Sequence, residues 1–264
     1  MAKVKDFYNF LNEAFPFSMQ ESWDNSGLLI GSPEDEVKGV LVGFDCTVEL
    51  IEEAVSRGCN MVVTHHPLIF HGLKQIGPED PVGATVMAAI RSGVAVYAAH
   101  TSADKVPQGV SWAMALKLGL KDIEILEKDA CGNGLGCIGT LPRPLTGNEA
   151  LEYVGKAFGL TLIRSSKPIE GPISRVAVLG GSGGSEIESA FCAGAQLYIT
   201  ADVSYHNFFT RDGFMVMDIG HFESEVDIVD ILLTQIRKNF PTFASYSSGT
   251  LDRSNPVHYF VMHK

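Results

Sequence analysis

Asn60-Met61-Val62-Val63-Thr64-His65-His66-Pro67 is a short β-branched run that ends in two adjacent histidines and a proline. Gly58 and Pro67 bound it, and that length and composition read as a buried strand. The proline biases His66 towards extended backbone. Adjacent residues on a strand face opposite ways, so the two imidazoles are expected to splay, one ring for each of two ions. The competing reading is a pair of ordinary core or surface histidines.

Working outward, residues 40–44 form another apolar strand. Thr47 is placed to cap a helix whose buried face is Leu50, Ile51, Ala54 and Val55, and Gly58 ends it. Residues 40–66 are therefore one β-α-β unit, and its crossover helix implies parallel strands. Phe7, Phe10, Leu11, Ala14 and Phe15 predict an earlier helix, and Asp24-Asn25-Ser26-Gly27 a turn into a short strand. A helix is expected over 82–92 and a strand over 94–98 that runs into His100-Thr101-Ser102-Ala103-Asp104. Pro107 is expected to open the next helix. Residues 131–139 read as a hairpin or crossing strand, and Arg143-Pro144 as the boundary between two halves, 1–141 and 142–264.

The second half repeats the first. Thr146-Gly147-Asn148-Glu149 and Ser185-Glu186-Ile187-Glu188 have the spacing of capping boxes. At an offset of 136, Val40 falls on Val176, Gly58 on Gly194 and Thr64 on Thr200, while His65 and His66 fall on Ala201 and Asp202. At 121, His100 falls on His221 and Asp104 on Glu225. The expected fold is α/β, with internally duplicated β-α-β units forming two similar halves and a metal site in the cleft between them. Gly180-Gly181-Ser182-Gly183-Gly184 lacks the full dinucleotide pattern and the Walker lysine, so it reads as a flexible strand-to-helix turn.

Three segments carry metal-competent side chains just after a strand: His65/His66, His100/Asp104 and His221/Glu225. Ligands gather at the carboxyl ends of strands in α/β sheets, and residues four apart share a helix face. Glu223 is two from His221 and points elsewhere on a helix. Imidazole and carboxylate without thiolate suit Zn, Mn, Fe or Ni. This many candidates suits two divalent ions rather than one. His206 follows Asp202 by four and is a candidate pocket residue. His71, His258 and His263 read as surface residues. Asp45 either orients a ligand histidine or is a plain turn acid.

Composition narrows the function. The 264 residues carry a net charge of −11, with 45% hydrophobic and 19% charged residues. That is a globular balance, and it argues against a nucleic-acid backbone as partner. The five cysteines include no C-x-x-C pair, which predicts buried reduced thiols in a cytoplasmic protein. The first residues lack a signal-peptide core, and no run of about 18 apolar residues spans a membrane.

Trp23-Asp24-Asn25-Ser26-Gly27-Leu28, Thr64-His65-His66-Pro67, His100-Thr101-Ser102-Ala103-Asp104, Thr200-Ala201-Asp202 and Gly220-His221-Phe222-Glu223-Ser224-Glu225 occur in this order. Together they resemble the Nif-three-like dinuclear metal-binding family, whose bacterial members are often labelled GTP cyclohydrolase 1 type 2 homologs. The likeness runs from about residue 5 to 237. It implies two ions on His65, His66, Asp104, His221 and Glu225, a duplicated α/β fold and a homohexamer. Ser102-Ala103 and Ala201 depart from the common pattern at positions outside the ligands. About 35 residues between Leu141 and Val176 leave no room for the domain that some relatives insert. The first functional reading is a metal-dependent hydrolase for a nucleotide-like or phosphoester small molecule, with His100 or Glu223 as proton shuttle. The alternative is a non-catalytic metal-binding or partner-binding protein.

Overall fold

The computed structural model describes residues 2–128, 132–260 and 262. Cys131 and His263 therefore lie outside the described residues. In chain order the first elements are α1 (Val4–Ala14), β1 (Gly27–Ile30), β2 (Val40–Gly43), α2 (Val48–Ser56), β3 (Met61–Thr64), α3 (Pro81–Ser92), β4 (Ala95–Ala98) and α4 (Thr101–Asp104). Then follow α5 (Val110–Lys117), β5 (Lys121–Lys128), β6 (Gly134–Leu145), α6 (Gly147–Phe158), β7 (Arg164–Ser165) and β8 (Ile173–Ser182). The last are α7 (Ile187–Cys192), β9 (Leu197–Ala201), β10 (Met215–Asp218), α8 (His221–Glu225), α9 (Ile228–Asn239) and β11 (Ser245–Ser247).

The chain divides into two compact units, Met1–Ala103 with Ile228–Val257, and Asp104–Asp227 with His258–Lys264. The expected boundary at 141/142 lies instead inside β6, whose edges are hydrogen-bonded to β5 and β8. The chain passes between units at Ala103/Asp104, just before the acid of the first His-x-x-x-acid turn, at Asp227/Ile228, two residues after the acid of the second, and at Val257/His258. The apolar faces explain this. Helix α9 buries Ile228, Val229, Leu232, Leu233 and Ile236 in the first unit, and β11 extends its sheet beside β2.

The first sheet has the order β1-β4-β3-β2-β11 and the second the order β5-β6-β8-β9-β10-β7. Read from the other end, β7-β10-β9-β8 repeats β1-β4-β3-β2. In each run the first strand pairs antiparallel and the other two pairings are parallel. The registers repeat too. Val40 pairs with Met61 and Val176 with Leu197, so both partners shift by 136 (176 − 40 and 197 − 61). Ala98 and Asp218 hold equivalent places opposite Thr64 and Thr200, a shift of 120 (218 − 98). The histidines that follow shift by 121 (221 − 100), so the second turn has one residue more. Gly220 lies in it at φ +93°, a backbone region that side chains disfavour.

Strands β2, β3, β4, β9 and β10 are buried on both faces, as parallel strands covered by helices require. Caps fall where their chemistry predicts. The Thr47 hydroxyl accepts the Leu50 amide hydrogen bond at 3.2 Å, and Thr146 and Glu149 form a capping box. Other readings change. Helix α5 starts after Gly109, so Pro107 stands outside it. The box expected at Ser185 is replaced by a 3-10 turn over Gly184–Glu186, and α7 has no side-chain cap. Residues 180–182 continue β8 instead of forming a loose turn. Cys46, Cys59 and Cys137 are buried as expected, but Cys192 is exposed.

Candidate metal centre

In the first unit the strand ends at Thr64, one residue short of the histidines. The amides of His65 and His66 both donate to the Phe44 carbonyl at 3.2 Å, and the Thr64 hydroxyl donates to the His66 carbonyl at 2.8 Å. The pair therefore sits in a bend, where the alternation of a strand no longer applies. Instead of splaying to opposite faces, the two rings lie 5.0 Å apart. One ring nitrogen from each of His65, His66 and His100 lies within 4.8 Å of the others.

The other nitrogen of each ring is committed. His65 Nδ1 lies 2.9 Å from the Ala99 carbonyl, which can only accept, so Nδ1 carries the hydrogen. His66 Nδ1 lies 2.7 Å from Asp45 Oδ1, and His100 Nδ1 lies 2.7 Å from Asp24 Oδ1. Asp45 thus takes the orienting place that the sequence left open against a plain turn acid. With Nδ1 engaged in all three rings, Nε2 is the nitrogen that would meet a cation. Imidazoles that ligate metals are oriented in this way by acceptors behind them.

The second unit carries its own donor group. His221 Nδ1 lies 2.7 Å from Asp202 Oδ2, and His221 Nε2 lies 3.0 Å from Glu225 Oε2. The Glu225 side chain is nearly buried, and Asp104 brings a carboxylate oxygen within 4.8 Å of it. Asp202 holds a left-handed backbone, φ +52°, which is unusual for a residue with a side chain. The turn is fixed by Asp218, which accepts from Arg164 at 2.7 Å, the Val203 amide at 3.0 Å and the Gly220 amide at 3.1 Å. Glu223 is in none of the donor groups among the described residues, and it hydrogen-bonds the Tyr259 hydroxyl. That carboxylate and burial together push the Tyr259 phenol up. Ser224 and Glu225 pack tightly on the glycines that end β8. The Gly181 amide donates to Ser224 Oγ at 3.0 Å, and a Cβ at Gly181 would collide with Glu225.

His206 lies in a 3-10 turn with its ring against Tyr205 and Phe209, and none of the metal-competent groups among the described residues includes it. His71 packs against Phe70, and His258 is exposed. Sequence reading missed Asp24. Its carboxylate is fully buried and accepts from His100, the Thr101 amide and hydroxyl, Ser26 and the Asn25 amide. Burial alone would raise its pKa, but the hydrogen bonds from His100 and Thr101 outweigh that and hold the carboxyl well below the usual range. A turn aspartate far from His100 in sequence gave no local sign of this role. The donor set of imidazoles and carboxylates suits a divalent cation.

A curated relative from Clostridium acetobutylicum, a GTP cyclohydrolase 1 type 2 homolog, is 33% identical over 228 residues, covering 84% of this chain and 85% of its own. Another so named, from Streptomyces coelicolor, is 34% identical over 212 residues, covering 78% and 74%. The crystal structure of a Staphylococcus aureus hypothetical protein superposes with a TM-score of 0.89 at 26% identity, covering 98% of this chain and 99% of that one. A Bacillus cereus protein related to NIF3 shares the fold, with a TM-score of 0.90 at 21% identity and the same coverage. The profile of one family matches residues 2–251, which takes in both sheets and every donor described above, and the chain therefore belongs to the Duf34/NIF3 (NGG1p interacting factor 3) family.

Proposed function

We propose that this protein is a metal-dependent hydrolase of a nucleotide-like or phosphoester small molecule, with two divalent ions held by His65, His66, Asp104, His221 and Glu225. The observation that carries this reading is the orientation of the histidines. Each of His65, His66 and His221 has an acceptor behind Nδ1, the orientation in which an imidazole presents Nε2 to a cation. Divalent ions bound there would lower the pKa of a water and offset charge on a displaced oxygen. The chain's own residues orient the donors through Asp45, Ala99 and Asp202, and offer His100 and Glu223 as proton carriers. The name of the curated relatives makes GTP the first substrate to try. The same reading includes a cytoplasmic location and a homohexamer, and light scattering on the purified protein tests the assembly. No helix among the described residues is long and apolar enough to cross a membrane.

The test is elemental analysis and turnover on one sample. Zinc- or manganese-loaded protein should carry about two ions per chain and hydrolyse GTP or bis(4-nitrophenyl) phosphate, and His66→Ala should abolish turnover. Two ions with no turnover would favour the alternative, a non-catalytic metal-binding or partner-binding role, to which the family description as an interacting factor also points. Less than one ion per chain would sink both.

A further inference from the structure

The most heavily bonded carboxylate in the first unit belongs to Asp24, a residue outside the proposed ligand set. Both of its oxygens receive a backbone N–H: Asn25 N lies 2.7 Å from Oδ1, and Thr101 N lies 3.0 Å from Oδ2. Besides His100, four donors point at these oxygens, the Asn25 and Thr101 amides and the Thr101 and Ser26 hydroxyls. Hydrogen bonds to the charged form hold the group as an ionised carboxylate, which has no hydrogen to give. It follows that the 2.7 Å contact to His100 has the hydrogen on Nδ1, a tautomer fixed by its surroundings rather than assumed. The ring is also held in place from other sides. The His100 amide donates to Ser26 Oγ at 3.1 Å, and the rings of Trp23 and Phe70 lie 6.1 and 5.9 Å away.

We propose that Asp24 is a positioning residue that locks His100 as the Nδ1–H tautomer, so that its bare Nε2 stands beside His65 and His66 as a hydrogen-bond acceptor for a bound water or substrate hydroxyl. The tautomer stands on geometry alone, and the acceptor role rests on the metal-hydrolase reading. A buried carboxylate behind an imidazole does the same work in serine hydrolases, where it sets the tautomer and orientation of the base without taking the proton. Asparagine cannot replace Asp24 in this role. Whichever way its amide is turned, the NH2 group meets a backbone N–H that needs an acceptor. On the Oδ1 side it also presents a donor to His100 Nδ1 and moves the ring hydrogen to Nε2.

The test is a two-bond proton–nitrogen correlation spectrum of histidine rings in metal-free, 15N-labelled full-length protein. His100, assigned by its loss in His100→Gln, should show the hydrogen on Nδ1 alone. Asp24→Asn and Asp24→Ala should populate the Nε2–H form, whereas Thr101→Val, which removes another donor to the same carboxylate, should keep the native tautomer. A wild-type spectrum with the hydrogen on Nε2 overturns the proposal whether or not the variants fold, and so do Asp24 variants that keep the native form. Zinc content then separates acceptor from ligand. His100→Gln should bind as much zinc per chain as the wild type, and a lower content would make His100 a ligand and overturn the acceptor role. Wild-type protein that takes up no zinc would defeat the metal reading and the acceptor role with it, and leave the tautomer assignment intact.

Discussion

A single buried carboxylate sets one pH dependence of this fold. Asp24 is held ionised by donors from Asn25, Ser26, His100 and Thr101, and its folded pKa lies below the unfolded value of about 3.9. A depressed carboxyl contributes stability above the unfolded pKa and loses it as pH falls towards the folded one. Asp24→Asn should therefore cost about 1–3 kcal/mol at neutral pH, with the gap to the wild type narrowing below about pH 4. Urea unfolding across pH 3–7 measures it, and a constant gap would contradict the assignment. Two buried tyrosines make a second contrast. The Tyr198 hydroxyl donates to the Gly183 carbonyl at 2.9 Å, whereas the Tyr97 hydroxyl is buried with no hydrogen-bond partner among the described residues. Tyr198→Phe should cost about 1 kcal/mol and Tyr97→Phe nothing or less, read as shifts in the thermal midpoint.

At the scale of elements, the glycines at the end of β8 matter because α8 packs onto them. Gly181 sits at φ +65°, and a Cβ there would collide with the Glu225 carboxylate and come within 3.4 Å of His221 Cε1. Gly159 has almost the same backbone, φ +66°, but open space around it. Gly159→Ala should show the cost of the backbone alone, about 1 kcal/mol. Gly181→Ala adds overpacking of about 1–3 kcal/mol and should weaken zinc binding about 10–100-fold by displacing Glu225. Calorimetric zinc titration of the two variants distinguishes them, and equal affinities would show that β8 does not position Glu225. These residues read locally as a loose turn because a glycine run looks the same whether it is free or pressed against another element. The strand, helix and cap signals nearby were legible, since apolar periodicity and side-chain caps act over a few residues.

Over the whole molecule, the chain leaves the first unit after Ala103 and returns at Ile228. Helix α9 then buries five apolar side chains there, and β11 pairs with β2. Each such side chain contributes about 1.5–3 kcal/mol, so their sum rivals the 5–15 kcal/mol of net stability typical of a domain. A chain ending at residue 227 should lose cooperative unfolding of the first unit, followed by amide exchange in β2 and β3, and native protection in those strands would refute the argument. The sequence by itself determined the parallel β-α-β repeat, its offset of 136 and the donor types at strand ends, because strand periodicity, caps and motif order are written in neighbouring residues. The tertiary structure decided the rest: that the two histidines share a bend, that Asp24 and Asp202 stand behind His100 and His221, and that 228–257 belongs with the first unit. Those are contacts between residues far apart in the chain. They arise when buried polar groups must find partners and apolar faces must find cover, conditions that no local pattern expresses.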